Sequence, residues 1–207
     1  MAATVTLPET TTTQEQVDDV LLDVLPRQGC WDDEAYLWVT DHTNRLIELS
    51  DGYLEVLPMP TDDHQSILQR LLLAFLALVQ PLGGVVQFAP LRLRVQRGRY
   101  REPDLMLLRD ADDPRRQNRY WLGADLVLEV VSEDNPQRDY AIKRRDYAEA
   151  GIPEYWIVDG QQQTVSVLPL QDGAYVEHGV FGVGAAVASA LLPGFAVDVA
   201  DLFKTRP

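Results

Sequence analysis

Residues 126–131 read LVLEVV. A run that is apolar at all but one position belongs to a strand in the middle of a sheet, covered on both faces. Asn135-Pro136 follows it, a favoured helix opening with Asn as cap and Pro at the first helical position. The helix predicted there runs to about Ala150, where Gly151 and then Pro153 end it. Residues 154–159, EYWIVD, read as the next strand, and residues 164–168 pair with it as a hairpin.

Upstream, residues 85–95 (VVQFAPLRLRV) and 100–109 (YREPDLMLLR) read as two further strands, with Pro90 marking a bulge or an edge in the first. Residues 110–117 form a polar loop. Before them, residues 64–80 carry Ile67, Leu68, Leu71, Leu72, Phe75, Leu78 and Val79 at helical spacing. Asp62 or Asp63 caps that helix, and Pro81 and Gly83-Gly84 end it. Residues 45–57 alternate about Ser50-Asp51-Gly52, the signature of a tight hairpin. Residues 31–39 suit a short helix with acidic residues in its first turn. The C-terminal part ends in a short strand and a closing helical turn. The order is αβββαβ framed by hairpins: a mixed α/β sheet with helices on its faces. Residues 31–207 read as a single domain. Residues 1–30 read as an N-terminal tail, with 17–25 (VDDVLLDVL) a short amphipathic helix or docking arm.

With 46% hydrophobic and 24% charged residues, the 207-residue chain is ordinary for a globular protein and excludes disorder throughout. The lone Cys30 excludes a disulfide framework, and the histidines (His42, His64, His178) are too scattered for a local zinc motif. The longest apolar stretch, 71–79, is too short to cross a bilayer, and the N-terminus has no secretory signal. The expectation is a cytoplasmic protein with no membrane partner. The net charge of −14 argues against a general nucleic-acid coat. Arg92 to Arg145 nevertheless holds 13 of the 18 basic residues against 10 acidic ones. That stretch is either a solvated basic face, with Arg92 and Arg94 side by side, or a local groove for phosphates.

Glu129 is the odd member of its strand, because a carboxylate inside an apolar run is costly unless paired, protonated or bound to a cation. Asp104 stands similarly at the head of an apolar run, behind Pro103, which restricts its aim. Two carboxylates near the ends of adjacent strands make an oxygen site suited to Mg²⁺ or Mn²⁺. Lys143 lies on the helix after the Glu129 strand, with Asp139 one turn before it. The pair is either an exposed i,i+4 ion pair or a device that aims Lys143 at the carboxylates, where it steadies charge on a phosphate. Tyr147, Tyr155 and Trp156 read as packing between that helix and the following strand, and Cys30 as a passive thiol.

These residues occur in a recognisable order: Glu48-Leu49, Asp51-Gly52, His64, Arg101-Glu102-Pro103-Asp104, the run DLVLEVVS at 125–132, Arg138-Asp139, Lys143, Tyr147-Ala148 and the run GIPEYWIVD at 151–159. From about residue 31 to 203 the chain resembles the Uma2 (DUF820) family of restriction endonucleases. The resemblance implies a PD-(D/E)XK restriction-endonuclease-like core and a magnesium-dependent phosphodiesterase site. Pro103-Asp104 then stands for the PD element and Glu129 for the acid of the second half. The usual lysine two positions after that acid is Val131 here, so Lys143 stands as a relocated lysine. Glu48 matches the family's upstream glutamate, either completing the acidic cluster or facing water from its hairpin. His64 also matches, as a site residue or as a helix-start packing residue. The function implied is metal-dependent endonucleolytic hydrolysis of DNA by Asp104, Glu129, Lys143 and Glu48, with Asp104 and Glu129 on the metal. The alternatives are a non-catalytic module binding DNA or a protein partner, and a hydrolase of a smaller phosphodiester. A homodimer, with residues 17–25 docking on the second subunit, fits an enzyme that cuts two strands.

Overall fold

The computed structural model describes residues 25–132 and 134–204. Residues 1–24 of the expected tail, and with them all of the arm at 17–25 but Leu25, lie outside the described residues, whereas Gly29 N near the tail's end donates to Gly52 O in the hairpin turn. In chain order the elements are α1 (Asp33–Asp41), β1 (Ile47–Ser50), β2 (Tyr53–Val56), α2 (Asp62–Val79), β3 (Val85–Phe88), β4 (Leu93–Gln96), β5 (Arg99–Arg101), β6 (Leu105–Leu108) and β7 (Leu126–Val130). A π-helical turn, Arg138–Lys143, then runs directly into α3 (Arg144–Glu149). After it come β8 (Glu154–Asp159), β9 (Thr164–Gln171), β10 (Ala174–Tyr175), β11 (Gly179–Gly182), β12 (Ala186–Ala188), β13 (Ala196–Asp198) and α4 (Val199–Leu202).

The main sheet has the order β10-β9-β8-β7-β6-β3, with β11 also on β9. The LVLEVV strand sits inside it, antiparallel to β6 and parallel to β8, and all five residues of β7 are buried. Alternation divides its side chains. Leu126, Leu128 and Val130 pack under α2 with Ile67, Leu71 and Phe75, while Val127 packs with Tyr147, Tyr155 and Ile157 on the α3 side. Covering on both faces is the demand that the uninterrupted apolar run makes. With its two helices the sheet gives the αβββαβ order, and β4 and β5 are inserted between its first two strands.

The inserted strands are where the sequence expectation changes. Residues 85–95 are not one strand. They break at Ala89-Pro90, so that β3 joins the main sheet and β4 a second, four-stranded sheet of order β2-β1-β5-β4. Residues 99–108 break likewise at Glu102-Pro103-Asp104, into β5 of the second sheet and β6 of the first. Helix α2 is capped by Thr61, whose hydroxyl accepts from His64 N, rather than by Asp62 or Asp63, and a 3-10 turn carries it on to Leu82. By length and composition Asp62–Leu82 is long and apolar enough to cross a membrane, contrary to the estimate from 71–79. Its stripe of Ile67, Leu68, Leu71, Phe75 and Val79 is instead packed in the core. Trp156 faces this side, 5.4 Å from Phe75, and not the α3 side expected of it.

The second sheet has one apolar and one charged face. Ile47, Leu49 and Tyr100 pack under α1 with Trp31, Tyr36 and Leu37. The alternating residues Glu48, Arg99 and Arg101 turn the other way and meet Arg138, Asp146 and Glu149. The π-turn and α3 are thus wedged between the main sheet and the charged face of the second.

Candidate active site

Register builds the site. Leu105 lies opposite Leu128, so one step further along the pair of strands Asp104 falls opposite Glu129. Asp104 Oδ2 accepts from Val130 N at 2.7 Å and meets His64 Nε2 at 3.1 Å. Its Oδ1 accepts no hydrogen bond among the described residues, and the side chain stays 18% exposed. His64 stands in the first turn of α2. Burial alone would favour its neutral ring, but the hydrogen bond and charge of Asp104 raise its proton affinity above the ordinary value.

Glu129 projects to the α3 side and is held at both oxygens. Oε2 pairs with Lys143 Nζ at 2.8 Å, and Oε1 accepts from the Tyr147 hydroxyl at 2.5 Å. Lys143 and Tyr147 are four residues apart on the helix, so one helical face delivers both. Lys143 Nζ also lies 3.3 Å from Asp139 Oδ1 and 3.8 Å from Glu48 Oε1. The π-turn brings Arg138, Asp139 and Lys143 all inward, and such turns mark strained, often functional, places in helices. Asp139 and Lys143 are buried, so the exposed ion-pair alternative does not hold. Burial, with the charges of Asp104, Asp139 and Glu48, pushes the Glu129 carboxyl up against the pull of Lys143. Burial works against the Lys143 ammonium, but Glu129, Glu48, Asp139 and Asp104 together raise it.

Glu48 is fully buried, which corrects the expectation that it faces water. Nor is it free to join an acidic cluster. It receives Arg138 Nη2 at 2.7 Å, Arg101 Nη1 at 3.1 Å and Glu102 N at 3.1 Å. Burial is outweighed by Lys143, Arg101 and Arg138, and its carboxyl falls to about 2. Arg101 reaches Asp146 as well. Glu102 is the opposite case: burial and the charge of Glu48 lift it to about 7, and its Oε2 is buried without a partner.

Several arginines of the basic stretch are tied to carboxylates instead of standing free for phosphates. Arg92 pairs with Asp41 at 2.7 Å, Arg99 with Asp51 at 2.6 Å, Arg115 with Asp113 and Asp125 at 2.7 Å, and Arg119 with Asp41 at 2.6 Å. Arg94 lies over the Tyr120 ring, so it and Arg92 do not share a bare face.

Asp104, Glu129, Lys143, Asp139, His64 and Glu102 all line one cavity of about 330 Å³. Among the described residues no three His, Cys, Asp or Glu side chains converge closely enough to hold a metal. The donor set still suits Mg²⁺ or Mn²⁺. Such ions take one or two carboxylates and keep several waters, and Asp104 Oδ1 is an unused carboxylate oxygen across the strand pair from Glu129.

The Uma2 family model, described as "Putative restriction endonuclease", matches residues 33–200. The chain belongs to the Uma2 family. Its fold is also that of a solved DUF820 chain from Anabaena variabilis ATCC 29413, described as a "putative nuclease". The two share 22% identity over 78% of this chain and 91% of that one, with a TM-score of 0.64. At that identity the likeness speaks for the fold. No curated protein matches the chain. This Uma2 chain brings Asp104, Glu129 and Lys143 into one cavity, with His64 behind Asp104 and Glu48 behind Lys143. Two contributors escaped the sequence reading. Tyr147 was assigned to packing, and its place one helical turn after Lys143 was the signal available for a second contact on Glu129. Glu102 belongs to the Arg101-Glu102-Pro103-Asp104 run that carries the family resemblance, and only its burial marks it as more than a neighbour of Asp104.

Proposed function

We propose that this Uma2 chain is a metal-dependent endonuclease that hydrolyses DNA phosphodiester bonds, by attack of water on phosphorus with departure of the 3′ oxygen. The reading is carried by Lys143 Nζ, 2.8 Å from Glu129 in a cavity that Asp104 also lines. Asp104 and Glu129 would hold Mg²⁺ or Mn²⁺, which when bound polarises the phosphoryl oxygen and makes water a better nucleophile. Lys143 supplies a positive charge to the phosphate as negative charge develops there, and its burial strengthens that interaction. Glu48 and Asp139 keep the ammonium charged and aimed. Tyr147 fixes the plane of the Glu129 carboxylate, and His64 and Val130 N do the same for Asp104.

Plasmid and single-stranded DNA incubated with Mg²⁺, Mn²⁺ or EDTA test this, beside Asp104→Asn and Lys143→Met variants whose folding is checked by circular dichroism. Cutting that needs metal and is lost in both variants is the expected result. No cutting by the parent chain, together with no Mn²⁺ binding in calorimetry, overturns the proposal.

A further inference from the structure

The cavity extends beyond its carboxylates, and its other walls are chemically different. The chain leaving β2, Leu57-Pro58-Met59-Pro60, forms an apolar lip, with Met59 79% exposed. The exposed Gln161 amide contributes from the turn between β8 and β9, and Arg70 contributes from α2. Arg70 stands apart from the other cations lining the cavity. Arg138 and Lys143 are paired with carboxylates, and Lys204 pairs with Asp201 at 2.5 Å. Arg70 donates only to the main-chain carbonyls of Leu202 and Lys204, at 2.8 and 2.9 Å. Among the described residues its charge meets no carboxylate, and a guanidinium has five N–H groups, so donors remain for an anion.

The paired arginines outside the cavity bear on the same point. A protein that follows a duplex neutralises about 6–10 phosphates. Here Arg92, Arg99, Arg101, Arg115 and Arg119 already have carboxylate partners, and the chain carries −14 overall. Exposed Arg45, Arg97 and Arg116 lie outside the cavity, and within it Arg70 alone among the described cations is left without a carboxylate, so the charge there suits a short grip on a backbone.

Resting on the nuclease reading, we infer that the substrate is gripped over a single nucleotide step. The scissile phosphodiester lies at Asp104 and Glu129, a neighbouring phosphate lies at Arg70, and an unpaired base lies against the Leu57–Pro60 lip. The flat apolar faces of a base suit proline, leucine and methionine side chains, and its polar edge suits the Gln161 amide. A base seated there has left its stack, which costs least in a strand that is already single.

The test compares Mn²⁺-supported cleavage of a thymidine trinucleotide, a 30-nucleotide single strand and the corresponding duplex. Hydrolysis of bis(p-nitrophenyl) phosphate reports the chemistry without the nucleotide contacts. The trinucleotide is expected within about tenfold of the long strand in kcat/KM, with the duplex slower. Two phosphate contacts to a single strand give a log kcat/KM against log salt slope of about −1.4. Arg70→Met raises the trinucleotide KM about tenfold without changing bis(p-nitrophenyl) phosphate turnover. Arg70→Lys, which keeps the charge, recovers most of that loss and separates charge from the structural hold on Leu202. A preferred duplex with a slope steeper than about −4 overturns the inference and leaves the nuclease reading intact. Turnover of bis(p-nitrophenyl) phosphate but of no nucleic acid also overturns it and leaves only a hydrolase. Turnover of nothing removes both.

Discussion

Glu48 keeps its negative charge although fully buried because Arg138, Arg101 and Lys143 surround it. Its carboxyl sits at about 2 in the fold against an ordinary 4.5. As pH falls, the unfolded chain takes up this proton before the folded chain does. The stability it contributes is therefore complete above pH 4.5 and drains away between 4.5 and about 2, amounting to about 3 kcal/mol. Glu48→Gln leaves three buried cations short of a partner and is expected to cost about 3–5 kcal/mol near neutral pH. Urea midpoints of parent and variant should converge as pH is lowered through that window; a constant gap would show that Glu48 does not carry it. Tyr147→Phe removes only the hydroxyl on Glu129 Oε1. A bond to a charged group is worth about 1.5–3 kcal/mol, and loss of a partner behind a metal ligand typically weakens metal binding by about 10–100-fold. Urea unfolding and Mn²⁺ calorimetry measure the two effects separately. Asp104 and Glu129 were legible as candidates because each carboxylate stands against an apolar run, and Lys143 because it follows the Glu129 strand one turn after Asp139 and fits the relocated lysine that the family resemblance implies. The state of Glu48 was not, because its partners lie 53 and 90 residues away.

The hairpin β1–β2 was legible from two alternating runs about Asp51-Gly52, since that turn needs positive φ at both positions, and they adopt +49° and +89°. Gly52 is also closed in: a Cβ there would lie 2.6 Å from Gly29 O. Gly52→Ala is expected to destabilise the chain by about 1–3 kcal/mol, read as a lowered urea midpoint. Because β1 carries Glu48, the same change should loosen the placement of Lys143. The runs at 85–95 and 100–109 read as single strands because each is rich in strand-forming residues on both sides of its break, and Pro90 and Pro103 read as a bulge and a constraint within a strand, not as the points where the chain changes sheets. Nothing local states that the two halves join different sheets. The helix after β7 was legible from Asn135-Pro136 and Gly151, but the apolar period does not betray the π-turn. That turn is set by what Arg138, Asp139 and Lys143 must reach on two sheets at once.

Across the whole molecule, charge serves assembly more than display. The basic stretch between Arg92 and Arg145 looked like surface because it was counted along the chain. In space its arginines tie the second sheet to α1 and to α3, and Arg115 ties the loop after β6 to Asp125. The two sheets therefore adhere differently: β7 lies inside apolar packing on both faces, while β1 meets the π-turn and β5 meets α3 through ions. Amide hydrogen exchange should follow this difference. Leu126, Val127 and Leu128 should exchange only on global unfolding, and Glu48 and Leu49 through smaller openings. Equal protection of β1 and β7 would refute that ordering.

The break at Glu102-Pro103-Asp104 then acquires a further meaning. It is a seam: Arg101 on one side belongs to the ionic sheet, and Asp104 on the other to the apolar one. A molecule sewn this way fails in stages. Mild heat or denaturant that frees the ionic sheet slackens the seam and releases Lys143 from Glu48 while the apolar half stands. Competence would be lost, and regained on cooling, within a molecule whose spectroscopic signature is still largely native.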